Sequence, residues 1–446
     1  MRSVFALTAS AALLLSSAIS GSAQEPSAIR AHQGRIITPD SAIERPEDVG
    51  LRAHTPYRIL VPADRSKFAP GEPNGFALPA FAASAVPGPP FSGYAYETPA
   101  SLGCVYHLTR SVTGCNPNLA TANPTSGSKA VGIVDAYYYP TALADLNAYS
   151  AQFGLGAMTT STFKVVYAGG TGGCNGSQPV GNAGWESEQA LDIEMVHAMA
   201  PRAKIFLVEA QTNSYTDLMT AEDCASTLVA AAGGGEVTNS WGGSEFSGET
   251  SLDSHFTKAN IVYFASTGDS AGTEWPSVSP NVVAVGGTTV RRVGESGSTF
   301  GNFIREGAWE DGGGGLSSVE ARPSYQSVLP SATNRLVPDV SAIANPNTGV
   351  WVYDNNATTG CCWYVFGGTS VASPLWAGIV NRAGHFAVSS SAELSTIYTA
   401  FASASTYSAD YSDISQGFCG FYDGDTSAVS WDACTGVGSP KTYNGK

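Results

Sequence analysis

The chain has 446 residues, with 22 Lys and Arg against 37 Asp and Glu, and a formal net charge of −15. That acidic balance excludes nucleic acid and anionic membrane surfaces as natural partners, and 50 glycines with only 13% charged residues fit a large, loop-rich α/β globule rather than a disordered or fibrous chain. Few cations also mean little self-repulsion once carboxylates protonate, which is compatible with work in acid.

Taken in order, Met1-Arg2-Ser3 is a charged start, Val4 to Ile19 an apolar run and Gly21-Ser22-Ala23 a small-residue cleavage site. This predicts a signal peptide over 1–23, hence a secreted, extracellular protein with no membrane anchor. Residues 24–95 are rich in Pro and Ala and include Pro87-Gly88-Pro89-Pro90. They are expected to form a short pro-segment or N-terminal extension ending in a linker. From 96 to 446 the pattern is that of one domain. Strands are predicted at 130–137, 163–167, 203–208, 236–241, 261–265 and 282–287, and helices at 142–153, 186–199 and 214–232. Strands alternating with helices imply a parallel sheet covered on both faces, with sites at the carboxyl ends of the strands. Asp135, Trp241 and Asp269 lie at or just beyond such ends. Eight cysteines suit an oxidising compartment. Their spacing suggests the local pairs Cys104–Cys115, Cys174–Cys224 and Cys419–Cys434; adjacent Cys361 and Cys362 form either a vicinal bond or bonds elsewhere.

The stretch Phe366-Gly367-Gly368-Thr369-Ser370-Val371-Ala372-Ser373-Pro374 leads into a small, apolar, helical run. A serine at the mouth of a helix sits near free N–H groups and the positive end of the dipole, a good place for a nucleophile that generates an oxyanion. A bare Gly-Thr-Ser also serves simply to begin a buried helix. The longer G-T-S-x-A-x-P string resembles the nucleophile segment of subtilisin-fold serine peptidases, among them the sedolisins, or serine-carboxyl peptidases. A conventional subtilisin needs a histidine in a His-Gly-Thr segment, and none of the six histidines is followed by Gly-Thr. Glu188 and Asp192, at i and i+4 of the 186–199 helix, offer a replacement. Two carboxylates side by side repel, which raises one pKa and makes a better base. Taken by themselves they equally fit a solvated acidic helix face, which is where Glu186 and Glu194 are placed. His197 reads as packed or half exposed.

Glu188-x-x-Leu191-Asp192, then Ser266-Thr267-Gly268-Asp269, then Gly368-Thr369-Ser370 follow the sedolisin order. The resemblance covers roughly 96 to the C-terminus. It implies an α/β, subtilisin-like three-layer sandwich with a mainly parallel central sheet, and a serine-type peptidase acting on proteins or peptides in acid. In that scheme Ser370 is the nucleophile, Glu188 its base, Asp192 the support of Glu188, and protonated Asp269 the oxyanion donor beside the Ser370 N–H. Asp135 either extends the carboxylate network or caps a loop. Trp241, in a Ser-Trp-Gly segment, either walls the pocket around Glu188 or belongs to the core. Near the C-terminus, Asp413-Ile414 and Trp431-Asp432 resemble the family's calcium site, which implies one structural calcium held by the Asp413 and Asp432 carboxylates and the Ile414, Ala428 and Ser430 carbonyls. Ala428 and Ser430 stand where the family usually has glycine, and Asp423 and Asp425 are rival ligands. The region before 96 is too short for the family's usual folded pro-domain. The expected protein is a monomeric endopeptidase. An exopeptidase of the same family and a catalytically silent binding protein on the same fold are the alternatives.

Overall fold

The structure, a computed structural model, describes residues 34–62, 88–91, 94–294, 299–355, 363–420 and 425–446. The expected signal peptide, most of the linker, Cys361, Cys362, Asp423 and the side chain of Asp425 lie outside the described residues. Its first elements are two strands, β1 (Gly34–Ile37) and β2 (Arg58–Pro62), from the region read as an extension. A short helix, α1 (Pro99–Val105), follows, begun by Thr98 and Ser101, which cap each other. The central strand is β3 (Ala130–Ala136), whose sequence AVGIVDA is buried along its whole length, as a strand covered on both faces must be. Then come α2 (Ala142–Phe153), β4 (Phe163–Tyr167), α3 (Ala183–Met199), β5 (Lys204–Ala210), α4 (Tyr215–Ala231) and β6 (Gly235–Asn239). Two-residue strands β7 (Gly243–Ser244) and β9 (Glu274–Trp275) pair across the loop edge, on either side of β8 (Ile261–Ser266). After β10 (Val283–Arg292) come β11 (Phe303–Ala308), β12 (Gly315–Ala321), β13 (Asn334–Val337), β14 (Val340–Ile343), β15 (Val350–Tyr353) and β16 (Trp363–Gly367). The helices α5 (Thr369–Ala383), α6 (Ser390–Ala402) and α7 (Ala404–Asp410) follow.

The main sheet runs β11-β10-β8-β6-β3-β5-β4, with β14 beside β10. It is parallel except at β10–β11. Alternation along β3 sorts its faces. Val131 and Ile133 join one core with residues of α3 and α5, while Ala130, Val134 and Ala136 join the other with residues of α4. Asp135 falls in the same phase as Val131 and Ile133. The result is the three-layer α/β arrangement expected. α3 and α5 touch closely at Gly378, where a Cβ would lie 2.8 Å from the Met199 Cβ and 3.1 Å from the Val196 carbonyl oxygen.

A second sheet runs β1-β2-β16-β15, so residues 34–62 are built into the fold and not set apart from it. The three local disulfides form as paired in the sequence reading. Beneath β10, Arg335 and Asp339 make a fully buried ion pair at 2.7 Å, completed by the Tyr398 hydroxyl and the Ala284 N–H. Among the described residues no helix is long and apolar enough to cross a membrane.

Candidate active site

Strand β16 ends at Gly367, and Gly368 turns the chain into α5 at φ 121°, a conformation that glycine adopts without strain. Ser370 is thereby the second residue of the helix. Its hydroxyl donates to Glu188 Oε2 at 3.0 Å, and both residues are fully buried. Pro374 lies in the second turn of α5, one turn deeper than the sequence suggested. With no N–H it leaves the Ser370 carbonyl without its helical partner. The Ser240 hydroxyl, which donates to Asp192 Oδ1 at 2.7 Å, lies 3.4 Å from that carbonyl.

The Asn182 side chain caps α3 by accepting from the Gly184 and Trp185 N–H groups. Almost the whole helix is buried, so its acidic residues do not form a solvated face. Glu194 in particular is fully buried and accepts from the Tyr353 N–H at 3.0 Å; burial pushes its carboxyl well above the usual range. Glu186 is half-buried. His197 is packed inside, bonded through Nε2 to the Gly156 carbonyl.

Burial raises Glu188 well above an ordinary glutamate, Asp192 and Asp135 add to the rise, and the Ser370 hydrogen bond works against it. Asp192 is raised by burial against the lowering effect of its Ser240 and Glu188 hydrogen bonds. Asp135 is raised by burial, then by Asp192 and Glu209. These three carboxyls cannot all ionise together; they hold protons among themselves. Asp135 is fully buried and neither of its oxygens has a hydrogen-bond partner among the described residues, so it bears on Asp192 through charge alone. Trp241 is fully buried among Tyr215 and Trp275, its N–H on the Val134 carbonyl at 2.9 Å, which is the position of a core residue.

Asp269 follows β8. Its Oδ1 accepts from the Thr369 N–H at 2.8 Å and the Thr369 hydroxyl at 3.1 Å, while buried Oδ2 has no partner among the described residues. Burial raises its pKa to about 7, against Arg58 and Thr369. The Ser370 N–H points to the Pro56 carbonyl oxygen at 3.2 Å. A Cβ placed on Gly368 would run into that same oxygen, the Tyr57 Cα and Asp269 Oδ2 together. One peptide carbonyl thus sits between the Ser370 N–H and the unpartnered carboxyl oxygen, where an oxyanion would be held. Ser370 bonds through its side chain to a carboxylate and, among the described residues, to no histidine.

A family profile described as the subtilase family matches residues 169–397, about half of the chain. The chain belongs to the subtilase family. Within it, this subtilase falls on the sedolisin branch. It is 25% identical to sedolisin of Pseudomonas sp. (strain 101) over 354 residues, covering 72% of this chain and 57% of the relative. It is 32% identical to kumamolisin of Bacillus sp. (strain MN-32) over 237 residues, covering 46% and 41%. Xanthomonalisin of Xanthomonas sp. (strain T-22) is 26% identical over 383 residues, covering 71% and 43%. The chain thus spans about half the length of the curated relatives it matches. In structure it superposes on the Pseudomonas serine-carboxyl proteinase sedolisin with a TM-score of 0.61 at 24% identity, over 78% of this chain and 96% of that one. That likeness shows a shared fold.

The subtilase's C-terminal loop gathers the residues read as calcium ligands. Asp432 accepts from the Ala428, Cys434 and Thr435 N–H groups, and Asp413 from the Ser430 N–H. The Ser427 hydroxyl donates to the Ile414 carbonyl and lies 3.1 Å from Asp432 Oδ2, so those two oxygens converge on one point. A carbonyl and a carboxylate are oxygens of the kind calcium takes, two of the about six to eight that it needs, and both Asp432 oxygens already accept from N–H and O–H donors.

Sequence reading missed three parts of the site. Ser240 stood beside Trp241 but was not singled out. Thr369 was read as lead-in and in fact holds Asp269. Residues 51–60, which line up across the cleft, carry no motif; only their hydrogen bonds disclose them.

Proposed function

We propose that this subtilase is a secreted, monomeric serine-carboxyl endopeptidase that works in acid. The observation that carries the reading is the Ser370 hydroxyl on Glu188, 3.0 Å away, inside a cluster of buried carboxyls. Ser370 Oγ attacks the carbonyl carbon of a peptide bond while its proton passes to Glu188, in the state of the cluster where Asp192 and Asp135 hold the shared protons and Glu188 carries the charge. Asp192 orients Glu188 and shares the cluster's protons. The resulting oxyanion accepts from the Ser370 N–H and from Asp269, which must carry its proton to donate. Glu188 then gives its proton to the leaving amine, and the acyl group stays on Ser370. A water, deprotonated by Glu188, attacks the acyl carbon, and as the bond to Ser370 Oγ breaks Glu188 returns that proton to the oxygen, freeing the acid product and restoring the hydroxyl.

Main chain passes through the cleft on both sides of Pro56, which supports an endopeptidase over an enzyme that trims termini. For calcium, the proposed ligands remain Asp413, Asp432 and the carbonyls of Ile414, Ala428 and Ser430; the ion would brace the loop and take no part in the reaction. The deciding experiment is hydrolysis of denatured protein across pH by the wild type and by Ser370→Ala. Acid-side activity that vanishes in the variant, with its melting temperature unchanged, is expected. An optimum at neutral or alkaline pH, or activity surviving in Ser370→Ala, overturns the reading.

A further inference from the structure

Residues 51–60 lie along the cleft as an extended peptide substrate would, bonded on both sides of the Pro56–Tyr57 bond. On the near side, the Leu51 carbonyl accepts from the Tyr215 N–H at 3.0 Å, and the Ala53 N–H donates to the Asn213 carbonyl at 2.9 Å. His54 exchanges both main-chain bonds with Gly242, at 2.8 and 3.1 Å, as an antiparallel pair. On the far side, Arg58, Ile59 and Leu60 pair with Gly367, Phe366 and Val365 of β16. Main-chain pairing of this kind is how an extended peptide adds to a sheet edge; side-chain pockets then set the preference.

Two of those pockets are acidic. His54, third residue before the bond, has its Nε2 3.5 Å from Glu274 Oε1, and Glu274 is only 8% exposed. Burial works against a charge on His54, and Glu274, helped by Glu44 and Asp269, outweighs it and raises its pKa to about 9. Arg58, second residue after the bond, pairs with Asp311, donates to the Asp269 carbonyl at 2.7 Å and lies 5.5 Å from the centre of the Trp309 ring. A carboxylate, a carbonyl and an aromatic face around one guanidinium make a cation site. Tyr57, the first residue after the bond, stacks on Phe366 and donates through its hydroxyl to the Gly184 carbonyl at 2.7 Å.

We infer that the cleft selects peptides with cationic side chains third before and second after the bond attacked, read by Glu274 and Asp311 respectively. The inference rests on the peptidase reading for the place of the bond. These two residues determine specificity; Glu274 also helps to raise Asp269, so the positions cut are compared within each variant and not the rates between variants.

The test uses the full chain in two forms. Wild type, Glu274→Gln and Asp311→Asn are given denatured protein at about pH 5, where an ordinary carboxyl is mostly ionised, and cut sites are sequenced by mass spectrometry. Lys, Arg and His should be enriched about three- to fivefold at each position, the scale of a partly exposed ion pair. Glu274→Gln should erase the enrichment before the bond only, and Asp311→Asn that after it only. In parallel, hydrogen exchange of amides 53–60 is followed in Ser370→Ala, with and without each acidic substitution; faster exchange in the double variants is expected. Cuts without enrichment, or enrichment that both variants leave in place, overturn the specificity while the peptidase reading stands. If wild type cuts nothing at any pH, the peptidase reading fails. In that case, exchange unaltered by either substitution also refutes Glu274 and Asp311 as readers of the segment, whereas faster exchange supports their role in holding it.

Discussion

Replacing Asp269 with Asn separates a donor that needs a proton from one that does not. In the wild type, Oδ1 accepts from Thr369 and Oδ2 is the free oxygen beside the Pro56 carbonyl. Asn keeps the first bond through its own oxygen and puts an N–H₂ donor where Oδ2 stood. With a pKa raised by burial to about 7, wild-type Asp269 is half protonated at that pH and loses about tenfold in donor population for each unit above it. Wild-type kcat/KM should therefore fall about twofold by pH 7 and about tenfold by pH 8, levelling once the loss of one oxyanion donor, about 100- to 1,000-fold, is complete. Asp269→Asn should start lower in acid but stay flat through the same range. Asp269→Ala should lose the full factor at every pH. The assay is kcat/KM for a quenched peptide carrying the Ala-His-Thr-Pro-Tyr-Arg order, from pH 3 to 9. An alkaline limb in Asp269→Asn that coincides with that of the wild type would refute Asp269 as the titrating donor.

Glu188→Gln and Asp192→Asn should each lower kcat by several orders of magnitude with little change in fold, because the members of such a unit act together; kcat near the wild-type value in either variant would refute its role. Stability should fall as pH rises. Glu209 and Glu393 are raised by burial to about 8 and about 7, so the folded chain binds more protons than the unfolded one between an ordinary glutamate's pKa and those values. Their contribution is complete below about pH 4 and lost at up to about 1.4 kcal/mol per unit and per group on the way to pH 8; urea midpoints that rise over that range would contradict this. Arg335→Ala leaves Asp339 charged and unpaired under β10 and should cost about 3–5 kcal/mol in the same measurement, whereas a loss below about 1 kcal/mol would show the pair to be dispensable. Chelation should lower the melting temperature through loss of an ion bound only to the folded state; an unchanged temperature with no calcium by elemental analysis would leave the loop to the Ser427 bridge and the Cys419–Cys434 bond.

The main sheet was legible because its strands are continuous apolar runs, and β3 and β5 need no context to be read as buried. The site was legible in its nucleophile and its carboxyl pair because Gly-Thr-Ser and Glu-x-x-x-Asp are fixed by local geometry. The surroundings of those residues were not. Apolar residues recurring every three to four positions mark a helix with one wet face; α3 is buried almost all round and has no such face, so Glu194 and His197 gave no sign of their burial. The strands β1 and β2 are short and flanked by proline-rich sequence, and they exist because β16 offers an edge more than 300 residues away. Arg335 and Asp339, four apart, look like any exposed pair; what buries them is β10 above and Tyr398 of α6 beside them.

The interior of this protein also changes what its charge means. The sequence pI of about 4.8 counts every carboxyl as ordinary. Glu188, Asp192, Asp135, Glu194, Glu222 and Glu236 are all fully buried and held well above that range by burial. Near neutrality the folded molecule therefore carries fewer negative charges than its formula, and it meets an electric field as a less acidic particle than its own unfolded chain. In isoelectric focusing, the native band belongs at a higher pH than the band of the same protein in urea, and the gap between them counts the protons that folding keeps.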